Sequence, residues 1–132
     1  MARKLILDTN VLIGMQRGRV DRAAFDQDEL AIAAITVAEF RVGIELATSA
    51  ELAAARARAL DAILSAVEVL DYTSHTAARH AQLLAHTRRI GRPRGAHDLM
   101  IAAHAAETDR IIMSSDASAK FGDLPGVVAD QP

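Results

Sequence analysis

Four acidic residues carry the chemistry that this 132-residue sequence can offer: Asp8, Glu39, Asp98 and Asp116. Asp8 closes the apolar run Leu5-Ile6-Leu7, and Asp116 follows Ile111-Ile112-Met113 after two serines. In open α/β sheets, ligands gather at the carboxyl ends of strands, so both aspartates stand where a site would form. Asp, Thr and Asn are also good helix N-caps, and capping is the plainer use of Asp8, Thr9 and Asn10. Glu39 is more telling. On a helix wheel of about 100° per residue, Arg41, Glu45 and Thr48 share one side, while Glu39 lies opposite among Val42, Gly43 and Leu46. A carboxylate on an apolar stripe is costly unless paired or coordinated. Asp98 likewise faces away from His97, Met100, His104 and Glu107, beside Ile101, Ala102 and Ala105. Its place in a first helical turn suits the helix dipole, which explains its position along the helix but not its inward aspect.

Four such carboxylates brought together would repel one another, and a divalent cation removes the conflict. An all-oxygen donor set suits Mg²⁺ or Mn²⁺ rather than zinc. Two such ions about 4 Å apart are a standard arrangement for phosphodiester cleavage. Shortly before Asp98, Arg88, Arg89, Arg92 and Arg94 crowd one short stretch and are candidate contacts for a phosphate backbone. A solvated helix end with cations matched to its dipole would look the same. The five histidines, His75, His80, His86, His97 and His104, show no ligand spacing and read as surface residues.

The elements that must position these acids follow from periodicity. Lys4 to Leu7 reads as a buried strand, and a helix opens at Val11-Leu12-Ile13. Leu30 to Thr36 is a second strand-like run, and Val37 to Thr48 is helical. Glu51 to Ala66, rich in Ala, Leu and Arg, is a helix by propensity with Ser49 as its cap. Val67 to Leu70 is a short strand. Ser74 to Ile90 is a helix stopped by Gly91 and Pro93. Ala96 to Thr108 is a helix, Arg110 to Met113 a strand, Ser114 to Leu124 a loop with a short helical turn, and Val127-Val128 a last strand. Short apolar strands alternating with longer helices indicate an α/β fold with a mostly parallel sheet. Nothing divides the chain, so residues 1–132 read as one domain.

Composition narrows the function. The formal net charge is -2, whereas dedicated nucleic-acid binders are usually strongly basic, so contact with a polyanion would have to be local. One Tyr, three Phe and no Trp exclude a base-stacking platform. The absence of cysteine excludes disulfides and thiolate zinc sites. The apolar run near the start is too short for a signal-peptide core, and the expectation is a soluble, cytoplasmic protein.

Taken together, Leu5-Ile6-Leu7-Asp8-Thr9-Asn10-Val11-Leu12-Ile13, Thr36-Val37-Ala38-Glu39-Phe40-Arg41-Val42-Gly43, His97-Asp98-Leu99-Met100-Ile101-Ala102-Ala103 and Ser114-Ser115-Asp116 leading to Phe121 resemble the PIN-domain ribonucleases, and within them the VapC-like toxins of toxin–antitoxin pairs. The resemblance spans nearly the whole chain. It implies about five parallel strands flanked by helices, and Mg²⁺- or Mn²⁺-dependent cleavage of a structured RNA such as a tRNA or rRNA. It also implies a homodimer or a larger toxin–antitoxin assembly, held in check by a VapB-like antitoxin. Asp8, Glu39 and Asp98 fit the family's three firm acids, and Asp116 a fourth, variable position. Thr9 and Asn10 would support Asp8. The stretch from Ala117 to Phe121 departs from the commoner pattern, in which an aspartate precedes the phenylalanine. The Ala-rich helix from Glu51 and its neighbour from Val37 are candidate walls of an apolar groove for the antitoxin. A non-catalytic module of the same fold is the alternative. A HAD-like phosphatase is disfavoured, because Asn10 stands where that chemistry wants a second aspartate, and Lys120 is poorly placed for its lysine.

Overall fold

In β1 (Lys4–Leu7), Leu5, Ile6 and Leu7 are each fully buried. A strand apolar on both faces belongs in the middle of a parallel sheet covered on both sides, and β1 takes that place. The computed structural model describes residues 2–132. After β1 come α1 (Thr9–Gln16), a 3₁₀ turn at Arg22–Phe25, β2 (Glu29–Ala33), α2 (Ala34–Glu45), α3 (Ala50–Ala66) and β3 (Glu68–Leu70). Then follow α4 (Ser74–Arg89), α5 (Ala96–Thr108), β4 (Ile111–Met113), 3₁₀ turns at Ala117–Ala119 and Phe121–Asp123, and β5 (Val128–Asp130). The five strands form one parallel sheet in the order β3-β2-β1-β4-β5, as the sequence pattern predicts.

This order creates the feature that matters. The chain winds outward from β1 through β2 to β3, then returns to place β4 on the other side of β1. The strand order reverses between β1 and β4, and ligands of open α/β sheets bind at the carboxyl ends flanking such a switch point. Register brings Leu7 beside Met113, and the Asp8 amide donates to the Met113 carbonyl at 3.0 Å. Asp8 and the loop leading to Asp116 are therefore neighbours by topology.

The two-residue period of the strands divides the core. Ile6, Ala33 and Ile112 pack with Leu83 of α4 and with Leu99, Ile101 and Ala102 of α5. Leu5, Leu7, Ile32 and Met113 pack on the opposite face with Val11 and Leu12 of α1 and Ile63 and Leu64 of α3. Burying one such side chain contributes about 1.5–3 kcal/mol. Truncating a central one such as Ile112 to Ala would cost about 2–5 kcal/mol, because the packed layers cannot collapse into the gap.

Three local expectations are corrected. The strand expected over Leu30 to Thr36 ends at Ala33, and α2 begins at once with Ala34. Val42 and Leu46, read as part of a buried stripe, are 53% and 74% exposed; α2 instead buries Thr36 and Phe40. His104 is not a surface residue: it lies 2% exposed, with Tyr72 edge-on to its ring. Burial lowers its pKa below the ordinary histidine value, against the raising influence of Glu107 and Asp71. Elsewhere the reading is close. Ser49 caps α3 through Leu52 N–H, α5 spans the expected residues, and Gly91 with φ 64° follows α4. Among the described residues, no helix is long and apolar enough to cross a membrane.

Candidate metal centre

Each of the four acids reaches the carboxyl end of the sheet on a different segment. Asp8 is the N-cap of α1 and is 7% exposed. One carboxylate oxygen accepts from the Thr9 amide at 2.8 Å, and the other accepts from Ser114 Oγ at 2.9 Å and Asn10 Nδ2 at 3.3 Å. Capping and site formation are thus performed by the same side chain. Burial holds the Asp8 carboxyl above its ordinary value, outweighing the lowering influence of the Ser114, Thr9 and Asn10 hydrogen bonds. The charge of Asp116 pushes in the same direction as burial.

Asp98 enters from the first turn of α5 and is half-buried. Its pKa is raised, first by burial and then by the charges of Asp8, Asp116 and Glu39, with His97 opposing. Asp98 therefore feels the other three carboxylates together. Gly95, the residue before α5, keeps its carboxyl clear: a Cβ there would stand 3.3 Å from Asp98 Oδ2. Glu39, one-third exposed, comes from the middle of α2. It accepts from Thr9 Oγ1 at 3.4 Å and lies 3.6 Å from His97 Nδ1. Although the apolar stripe proposed around it is exposed, Glu39 faces this site. Asp116 caps the 3₁₀ turn at Ala117–Ala119, with one carboxylate oxygen accepting from Ser118 N–H and Oγ. Those bonds hold its pKa below the ordinary value.

Sequence reasoning gave no role to Ser114, His97 or Gly95. Ser114 ties the site together, because its hydroxyl donates to Asp8 and accepts the Asp116 amide at 3.1 Å. Asn10 completes the junction by accepting the Ser115 amide at 3.0 Å. The available signal was the Ser-Ser pair between an apolar strand and an aspartate. Of the four arginines, Arg88, Arg89 and Arg92 are exposed. Arg94 is engaged within the fold: Nη1 donates to the carbonyls of Ala119 at 2.6 Å and Lys120 at 2.9 Å, bracing the loop that follows Asp116.

The donor set is entirely oxygen and anionic, as a hard divalent cation requires. Among the described residues, no lysine or arginine comes within 4.0 Å of any of the four carboxylates; His97 is their one basic neighbour. The acids share one field without being drawn to chelating distance, since among the described residues no three acidic or imidazole groups form a ready coordination sphere. In donor type and charge the residues fit a hard divalent ion.

A five-stranded parallel sheet with acids placed beyond its switch point is the PIN-type arrangement, and the chain belongs to the PIN domain family, whose model matches residues 5–124. Its relatives lie in the VapC branch. Ribonuclease VapC5 of Mycobacterium tuberculosis is 32% identical over 124 residues, covering 94% of this chain and 90% of that protein. The tRNA(fMet)-specific endonuclease VapC of Shigella flexneri is 31% identical over 117 residues, covering 86% of each. Among solved structures, DNA-bound VapBC from Salmonella typhimurium aligns with a TM-score of 0.86 at 26% identity, over 99% of this chain and 98% of that one.

Proposed function

We propose that this protein is a metal-dependent endoribonuclease, the toxin of a VapBC-like pair. The observation that carries the reading is the hydrogen-bonded frame at the sheet's switch point: Ser114 joins Asp8 to the Asp116 amide, Thr9 joins the start of α1 to Glu39, and Asp98 opens α5 beside them. The kinship with VapC ribonucleases supports RNA as the substrate. The VapBC complexes among the structural relatives support a VapB-like antitoxin as partner.

Asp8 and Asp98 would hold the principal ion, Mg²⁺ or Mn²⁺, with Glu39 and Asp116 completing the set. Such an ion supplies Lewis-acid polarisation of a phosphoryl oxygen and makes water a better nucleophile near neutral pH. The chain's own residues do the positioning. Ser114 and Asn10 fix the Asp8 carboxylate in a single orientation. Thr9 and His97 hold Glu39 toward the same crevice. Pre-set ligands avoid the cost of ordering side chains at the moment of reaction. A structured RNA, tRNA or rRNA, is the substrate class this reading favours. The exposed Arg88, Arg89 and Arg92 are its candidate backbone contacts.

The test is calorimetric titration of the protein and its Asp98→Asn variant with Mn²⁺, alongside cleavage of bulk tRNA. The variant is expected to lose both ion binding and cleavage while keeping its helical content. Undiminished Mn²⁺ binding by the variant would remove Asp98 from the metal site.

A further inference from the structure

The helices expected to wall an apolar groove also line a second, polar space. Between the end of α1, α2 and α3 lies a cavity of about 170 Å³ lined by Gln16, Arg17, Glu39 and Arg56 together with Ile13 and Phe40. Glu39 belongs at once to this cavity and to the acidic crevice, so the two spaces adjoin through one side chain. Arg56, half-buried on α3, reaches across to α2, where its Nη1 donates to the Gly43 carbonyl. A Cβ on Gly43 would lie 3.9 Å from Arg56 Nη1, an ordinary contact. Arg17 closes α1 as its C-cap and is exposed. Neither arginine is paired with an acid among the described residues. Two unpaired guanidiniums beside a carboxylate crevice form an anion site, and guanidinium geometry suits phosphate oxygens.

We infer that Arg17 and Arg56 form a phosphate subsite that seats a backbone phosphodiester of RNA next to the one presented to the acids. The inference rests on the ribonuclease reading and extends it by giving the RNA a path. The strand would cross the crevice from the end of α4, with its exposed Arg88 and Arg89, and the following loop, with exposed Arg92, toward the α1–α2–α3 cavity. An amphipathic peptide is the other occupant to consider. The apolar cavity of about 270 Å³ between α1 and α3, lined by Leu12, Met15, Leu30, Ile63 and Val67, offers such a peptide a more fitting surface. The basic cavity favours the polyanion.

The test uses the full chain, a labelled single-stranded oligoribonucleotide of mixed sequence, and bulk tRNA. In the Asp98→Asn background, anisotropy titrations at graded KCl compare the parent with Arg17→Ser and Arg56→Ser. Each change is expected to weaken binding roughly three- to tenfold across sequences. Each should also flatten the slope of log affinity against log salt by about 0.7. In the cleavage-competent chain with Mn²⁺, KM for tRNA should rise by a similar factor with kcat within about twofold. Arg17→Glu provides the decisive variant if Arg56→Ser disturbs folding, because Arg17 is exposed and outside the core. Unchanged affinity and slope in Arg17→Glu, with the parent binding RNA, would overturn the subsite and leave the ribonuclease reading intact. Loss of binding to a co-expressed inhibitor with RNA binding unchanged would equally overturn it. A parent chain that neither binds nor cuts either RNA would remove the ribonuclease reading itself, and the subsite with it.

Discussion

The two ends of the sheet treat an aspartate in opposite ways. At the amino end, Asp28 precedes β2 with its side chain 6% exposed, and Arg3 grips it through Nε at 3.2 Å and Nη2 at 2.9 Å, adding its own amide at 3.1 Å. Those bonds, foremost the side-chain one, hold the Asp28 carboxyl below its ordinary value. At the carboxyl end, Asp8 is 7% exposed and is met only by neutral groups, and burial raises its pKa. Glu68 and Arg110 repeat the paired pattern at the amino end, at 3.2 Å, while Arg110 also donates to the Leu5 carbonyl. The two aspartates, with pKa values shifted in opposite directions, show two ways of holding an acid. The first has its cation built in; the second is held in place by hydroxyls and amides, and its charge is left for a ligand to neutralise.

Substituting at each end should break the contrast in different observables. The largest effect is expected from Asp8→Asn. Asn remains a good N-cap, so α1 should persist. RNA cleavage should nevertheless fall by about 10²–10³, the scale on which removing one preorganised electrostatic group acts. The checks are cleavage kinetics and circular dichroism, and full activity would return Asp8 to a capping role. Next comes Arg94→Ala. Its guanidinium contacts the carbonyls of Ala119 and Lys120 and none of the acids, so the change should loosen the Asp116 loop. Mn²⁺ affinity should drop roughly tenfold, as for lost supporting contacts around a metal, with the salt dependence of RNA binding unaltered. Calorimetry and salt-graded binding together separate this from a direct phosphate contact. Asp28→Asn should do the reverse of Asp8→Asn: unaltered cleavage, and a small loss of stability in denaturant unfolding. The loss is small because Arg3 is 41% exposed and solvent screens the pair.

The smallest effect is a pH profile with two limbs, measured by thermal melts in the presence of a chelator. Asp8 and Asp98 have raised pKa values, so the folded chain binds their protons more tightly than the unfolded chain does. Their ionisation destabilises the fold, and stability rises as pH falls from neutral through their folded pKa values toward the ordinary value of 3.8. Asp28 is lowered, so its contribution is present above 3.8 and is lost as pH falls through its folded pKa. Stability should therefore peak in the mildly acidic range. Asp98→Asn should flatten the limb above the peak and Asp28→Asn the limb below it. A profile unmoved by either variant would remove the electrostatic contrast.

How much of this was legible depended on whether the sequence marks its own boundaries. Helix α5 could be read to the residue, because Gly95 precedes it and Asp109, with φ 55°, turns the chain out of it. The start of α2 could not. Ala33 serves as its N-cap without a side-chain hydrogen bond, so Leu30 to Thr36 reads as one apolar strand although the backbone changes state in the middle. For the same reason the wheel drawn for Glu39 assumed a buried stripe where Val42 and Leu46 meet solvent. Asp8 and Asp116 were recognisable from the strands that precede them. Ser114 was marked only by the Ser-Ser pair between strand and aspartate, and its role waited on the topology that sets it against Asp8. The Arg3–Asp28 pair was hidden, because two residues far apart in sequence meet only once β1 and β2 have paired in register.

The bond from Ser114 to Asp8 joins residues 106 positions apart. On a ribosome adding about 5–20 residues per second, Asp8 is synthesised roughly 5–20 s before the serine that orients it. Throughout that interval the growing polypeptide has the first acid and lacks the last one, and its central strand has no β4 beside it. A growing polypeptide therefore cannot bring the four acids together until Asp116 has been made and β4 has paired with β1. Under the proposed reading, that delay would give an antitoxin already present time to meet the chain as its site forms.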